Sequence, residues 1–131
     1  MSGVVELEQL LQSMNPLLLE GDFVFCHVSG QLSDYGHLQP VSSFVEPEGL
    51  SLVLSKSTAE SEGMAFENTY RQITLTVHSS LEAVGLTAAV ARQLALKGIS
   101  ANVIAAYFHD HIFVPWDKAD AAMAALTEIA L

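Results

Sequence analysis

Basic side chains are scarce in this sequence. Five Lys and Arg stand against fifteen Asp and Glu, giving a formal charge of −10 over 131 residues. A surface this acidic repels phosphate backbones, so no nucleic-acid partner is expected. Cysteine is nearly absent too. Cys26 is the one thiol, and one thiol closes no intrachain disulfide. With an N-terminus, Met1-Ser-Gly-Val-Val-Glu6, that lacks a basic leader region, this makes the reducing cytoplasm the expected location. No apolar run approaches the roughly 20 residues needed to span a bilayer, so no membrane partner is expected either. Cys26 lies within Asp22-Phe-Val-Phe-Cys-His-Val28, among apolar strand residues and without a basic neighbour, and reads as a packing thiol rather than a nucleophile.

Catalytic arrangements are also missing. The chain has no Gly-x-Ser-x-Gly elbow, no Walker-type phosphate loop and no Gly-x-Gly-x-x-Gly turn. Ser79 and Ser80 follow His78, but consecutive residues at a strand end do not converge. Glu6 with Glu8, and Glu60 with Glu62, diverge on a helix and cannot form an acid–base dyad. His109-Asp110-His111 puts two imidazoles on one strand face, enough for two corners of a zinc tetrahedron. His27, His37 and His78 have no fixed ligand spacing to that pair, and a half-exposed sheet face is the simpler reading. No catalytic residue, metal or cofactor is therefore expected; a small metal-dependent enzyme using His109 and His111 is the remote alternative.

Half of the residues are hydrophobic, and their patterning is clear. Leu7, Leu10, Leu11 and Met14 form one stripe of a helix from about Val5 to Met14, ended by Asn15-Pro16. Asp22 to Val28 reads as a strand, and Ser29 to His37 as a loop. Leu38 to Val45 and Leu50 to Ser55 read as two strands joined at Glu46-Pro-Glu-Gly49. Lys56 to Gly63 reads as a short glycine-closed helix. Arg71 to His78 alternates apolar Ile73, Leu75 and Val77 with polar Thr74, Thr76 and His78, the period of a strand with one buried face. A helix from Thr87 to Lys97 stops at Gly98, and Asp117 to Ile129 reads as a second helix with Ala119, Met123, Leu126 and Ile129 or Ala130 inward.

A weak internal repeat links Ser51 to Glu60 with His111 to Asp120, each a strand, a two-residue turn and a helix start. Ser57 with Glu60, and Asp117 with Asp120, have capping-box spacing. The repeat implies two βαββαβ-like halves, residues 1–68 and 69–131. In the first half the 29–37 loop replaces a helix. The second half lacks a last strand, and must borrow one from the other half or from a second chain.

The segment Ile73-Thr-Leu-Thr-Val-His-Ser-Ser-Leu-Glu-Ala-Val-Gly-Leu-Thr87, with Leu94-Ala-Leu-Lys-Gly-Ile-Ser100 and His109-Asp-His-Ile-Phe-Val-Pro115, resembles the ACT domain, and in particular small stand-alone bacterial ACT proteins with no attached enzyme domain. The likeness covers about 56 residues closely, from Arg71 to Leu126, and the N-terminal half loosely. It departs from the family at Val84, where a proline usually precedes the turn glycine. The resemblance implies an α+β, ferredoxin-like fold of antiparallel sheet backed by helices, and a regulatory module that binds a free amino acid or related carboxylate. It also implies pairing of units, here a homodimer, and a target protein that the sequence does not name.

The resemblance places the ligand at His78, Ser79, Val84, Gly85, Leu86 and Thr87, with Asn102, Val103 and Ile104 of a neighbouring unit as the opposite wall. Elementary chemistry agrees, because free N–H groups at a helix start and a close-approach glycine suit a carboxylate. Asn102, Glu82 and strand carbonyls are the candidate acceptors for an ammonium. A structural or protein-interaction unit with a vestigial ligand turn is the alternative function. The expected C-terminal core is Ile73, Leu75, Val77, Val90, Leu94, Val103, Ile112, Val114, Met123 and Leu126, with Thr74, Thr76 and His78 on the opposite sheet face.

Overall fold

The computed structural model of the chain describes residues 7–77 and 84–130. They group into two compact units. One joins residues 1–20 to 71–131, and the other is residues 21–70, inserted between them in sequence. The element order is α1 (Leu7–Gln12), β1 (Pro16–Leu18), β2 (Phe23–Val28), β3 (Ser42–Glu46), β4 (Gly49–Ser55), α2 (Lys56–Ser61), β5 (Tyr70–Leu75), α3 (Leu86–Leu96), β6 (Asn102–Ala105), β7 (Asp110–Pro115) and α4 (Ala119–Ala130). Short 3-10 turns cover Leu32–Asp34, Gly36–Leu38 and Trp116–Lys118. Among the described residues no helix is long and apolar enough to cross a membrane.

In the unit built from both chain ends, the strands lie in the order β1, β5, β7, β6. β6 and β7 form an antiparallel hairpin, with Val103 opposite Ile112. The last place in the βαββαβ pattern is filled from upstream. Pro16–Leu18 pairs antiparallel with β5, Pro16 opposite Leu75 and Leu18 opposite Ile73. The half without a last strand thus takes it from the start of its own chain. Sequence reading missed this strand, because Pro16 looked only like the end of α1 and three residues are too few to show alternation. An edge position, however, tolerates proline, which has no N–H to give to a ladder.

The core of this unit holds Ile73, Leu75, Val90, Leu94, Ile112, Val114 and Leu126, all buried, with Val77, Val103 and Met123 packed partly buried around them. Every expected core position is therefore present. α1 adds Leu10 and Met14, both fully buried, and α3 and α4 add Leu86, Ala119, Ala122 and Ala125. Small alanine side chains thus fill inward positions of α4. Lys97 Nζ lies 3.2 Å from Glu128 Oε2, and Gln93 Nε2 donates to the Ala125 carbonyl at 3.2 Å, tying α3 to α4.

The inserted unit has strand order β3, β4, β2, with Tyr70 opposite Phe23 on the far side of β2. Val24, Cys26, Leu50, Leu52, Leu54 and Ala59 form its core, closed by Leu38. Burial raises the pKa of the Cys26 thiol, so it is an inert packing group. Three local expectations shift. β3 starts at Ser42 rather than Leu38, because Leu38 closes a 3-10 turn and Gln39 follows in the left-handed region at φ 50°. The cap of α2 is Ser55, not Ser57: the Ser55 hydroxyl accepts from the Thr58 N–H at 3.2 Å. Asp117 does not cap α4 either, since it lies inside the 3-10 turn that precedes that helix.

Leu10 tests the borrowed segment. Leu10→Ala is expected to cost about 2–5 kcal/mol, the usual range for a leucine deleted from a core. Hydrogen exchange should show the lost protection in residues 71–130, far along the chain from the substitution. Lost protection confined to residues 7–20 would contradict the packing.

Candidate functional site

The turn into α3 is the site that the sequence singles out. His78, Ser79 and Glu82 lie outside the described residues. Of the rest, Val84 is exposed at 82%, and Gly85 occupies the N-cap of α3 with φ 98°. That left-handed angle is where glycine is free and side chains are strained. As a glycine N-cap, Gly85 has no side-chain oxygen with which to cap the first turn of the helix. Leu86 turns inward and is buried, while Thr87 on the next position is exposed. Leu86 thus anchors the helix start to the core, and Thr87 leaves a hydroxyl at its surface.

The three strand residues expected opposite this turn are separated by the pleat. Val103 pairs with core residue Ile112 and faces the helices. Asn102 and Ile104 pair with Phe113 and His111 and face away from them. Only Val103 shares the helix-bearing side of the sheet with the turn. β6 is the terminal strand of the order in this unit.

The opposite face carries a polar cluster that sequence reading treated only as a sheet lining. Gln72 and Thr74 are buried, at 6% and 7% exposure. The Gln72 amide donates to the Thr74 hydroxyl at 3.2 Å, and Thr74 Oγ1 lies 2.9 Å from His111 Nδ1. Gln72 Nε2 is 3.3 Å from the same nitrogen. An amide nitrogen can only donate, so a bare Nδ1 on a neutral ring fits this cluster, and a protonated one conflicts with it. His111 accordingly has its pKa lowered, mainly by burial and then by neighbouring His109, with Asp110 pulling the other way. His109 is directed elsewhere, its Nδ1 3.2 Å from the Val77 carbonyl. Among the described residues no three His, Cys, Asp or Glu side chains gather as a metal would require. The signal for this cluster was present in the sequence as Gln72 and Thr74 on one strand face, but only strand pairing brings His111 to them.

Two ACT domain family models match the chain, one over residues 2–71 and one over residues 60–128. No curated protein sequence matches it. A crystal structure of the Vibrio cholerae protein VC0802, of unknown function and described as a possible transport protein, shares 58% identity. The match covers 95% of this chain and 96% of that one, with a TM-score of 0.87. The regulatory subunit of aspartate kinase from Thermus thermophilus matches at 10% identity over 87% of this chain and 95% of that one, TM-score 0.61. Escherichia coli aspartokinase III, solved with aspartate and ADP, matches at 12% identity over 87% of this chain and 32% of that one, TM-score 0.66. At such identities the likeness to the kinases is one of fold.

The lowered His111 pKa has a direct consequence. The folded state disfavours the protonated ring, so its contribution to stability is fully present above the unfolded pKa of about 6.5 and is lost as pH falls below it. Urea melts across pH 7.5 to 5 (about the window in which histidine titrates) should show wild type losing more stability than His111→Asn. Equal pH slopes in the two proteins would refute the role of this ring.

Proposed function

We propose, from the premise that this chain belongs to the ACT domain family, that it is a regulatory module sensing a free amino acid or related carboxylate at the start of α3. The observation that carries this reading is Gly85. It sits at φ 98° as a helix start with no side-chain cap of its own; the Leu7 side chain covers the side where a Cβ would stand, so a ligand would meet the first-turn N–H groups from the other side of the turn. The positive end of the helix dipole favours the same negative charge. In this reading Thr87 adds a hydroxyl donor, Leu86 holds the helix in place, and Val84, His78 and Ser79 complete the turn. Asn102, Val103 and Ile104 of a neighbouring unit form the other wall, with Asn102, Glu82 and strand carbonyls as acceptors for the ammonium.

A neighbouring unit implies self-association, and we propose a homodimer. β3 and β6 each end the strand order of their own unit. On β3, Phe44 and Val45 point to opposite faces and are exposed at 71% and 80%. A terminal strand with apolar side chains on both faces is a template for another chain, because its outer N–H and C=O groups await partners. Those same residues favour a second reading, an interaction unit whose ligand turn is unused.

A thermal-shift screen of the twenty amino acids separates the two. At a hundredfold excess over Kd, a ligand stabilises the folded state by about 2.7 kcal/mol, a visible rise in Tm. Gly85→Val should remove that rise by straining the turn and displacing the Leu7 side chain, which lies 3.0 Å from where a Cβ would stand. If Gly85→Val folds and keeps the shift, the ligand binds elsewhere. If no amino acid shifts the wild type, the interaction reading prevails. Light scattering tests the assembly: wild type is expected as a dimer, and Val45→Lys as a monomer. A monomeric wild type at micromolar concentration overturns the dimer.

A further inference from the structure

The inserted unit holds a pocket that has no part in the α3 turn. Its volume is about 460 Å³, within the range of small-molecule sites. Phe25, His27, Phe66, Glu67, Asn68 and Tyr70 line it, with Ala65. β2 alternates: Val24 and Cys26 face the core, so Phe25 and His27 point to the other side of the sheet. Tyr70 lies on that side too, opposite Phe23 across the strand pair, and its ring centroid is 5.0 Å from that of Phe25 at a tilt of 55°. The pocket therefore has a wall of aromatic faces made by adjacent strands, and a rim from the segment that leads into β5.

The rim is rich in hydrogen-bond acceptors. His27 Nε2 is 2.9 Å from the Glu48 carbonyl oxygen. A carbonyl can only accept, so Nε2 carries the hydrogen, and the neutral ring keeps Nδ1 as an acceptor. Gly49, at φ 146°, leaves room for this arrangement, since a Cβ there would collide with the imidazole. Glu67 and Asn68, both exposed, bring a carboxylate and an amide oxygen. Among the described residues that line the pocket, Glu67 is the one carboxylate and none is Lys or Arg. Aromatic faces attract cations through the negative centre of the ring, and a carboxylate at the rim adds to that attraction. Among the described lining residues an anion would meet no Lys or Arg, only the Asn68 amide and the Tyr70 hydroxyl as donors, and the Glu67 carboxylate would repel it.

We propose that this pocket binds a small organic cation whose head is rich in N–H donors, a guanidinium or a primary ammonium. The head lies against Phe25 and Tyr70 and donates to Glu67 and to His27 Nδ1, while its aliphatic stem rests on Phe66. This site is independent of the carboxylate site proposed at Gly85.

Three probes of similar size decide the chemistry: butylguanidine, its uncharged isostere butylurea, and butyrate, each titrated into 15N-labelled protein at millimolar concentration. Butylguanidine is expected to shift the amides of Ala65, Glu67 and Asn68, and to bind at least about tenfold more tightly than butylurea, the factor that about 1.4 kcal/mol of charge-dependent attraction gives. Glu67→Gln, at an exposed position that tolerates the change, should weaken butylguanidine by a similar factor. Tyr70→Leu should weaken it as well, and Tyr70→Phe, which keeps the ring, should restore it. The proposal is overturned if butylurea binds as well as butylguanidine, if butyrate binds instead, if none of the three moves these amides, or if Glu67→Gln leaves the affinity unchanged.

Discussion

The pairing of three residues, Pro16 to Leu18, with β5 is the constraint on which the larger unit rests. Without it, Ile73 to Leu75 would lack their antiparallel partners, and the βαββα run from β5 to α4 would have no last strand. The pairing also sets where α1 goes. The chain enters β1 from α1, and that short helix delivers Leu10 and Met14 to the core formed by α3, α4 and the sheet. Thr76 strengthens the junction, its hydroxyl donating to the Asn15 carbonyl at 2.8 Å. Arg71 holds the other end through the Leu19 carbonyl at 2.9 Å. Because Pro16 meets Leu75 across an intervening fifty-residue unit, the closure is long-range, and its entropic cost grows only slowly with loop length.

The two units follow one plan with unequal means. In the unit of both chain ends, α3 supplies Leu86, Val90 and Leu94 to the core. The inserted unit has 3-10 turns at the corresponding place, and of these only Leu38 is buried. Fewer side chains then cover the sheet, which accounts for Val45, on the core-facing side of β3, remaining exposed. The loss of a helix thus produces a smaller core together with apolar surface on an outer strand.

The faces turned away from the helices are also used differently. In one unit, Gln72, Thr74 and His111 satisfy one another across adjacent strands. Buried polar groups of this sort are costly unless paired, so the cluster specifies the register of β5 against β7 as much as it adds stability. In the inserted unit, the matching face carries the rings of Phe25 and Tyr70 beside a pocket. A closed hydrogen-bond cluster leaves no room for a ligand, whereas tilted rings around a cavity do.

Local pattern determined much of this protein. The alternation of Ile73, Leu75 and Val77 marked both the strand and its inner face, and the spacing of Leu86, Val90 and Leu94 marked a helix that Gly98 ends. These signals are legible because each depends on neighbours within a few residues. Gly85 as the turn glycine was legible for the same reason. The tertiary structure alone decided the rest. β1 carries too few residues to show a period, and it becomes a strand only because β5 has an edge to fill. Ser55 takes the cap that Ser57 seemed to offer, because Ser55, as the last residue of β4, has the extended geometry a cap requires and the helix starts directly after it at Lys56. The His111 cluster and the aromatic pocket join residues dozens of positions apart, and such meetings depend on strand order, which no local period encodes.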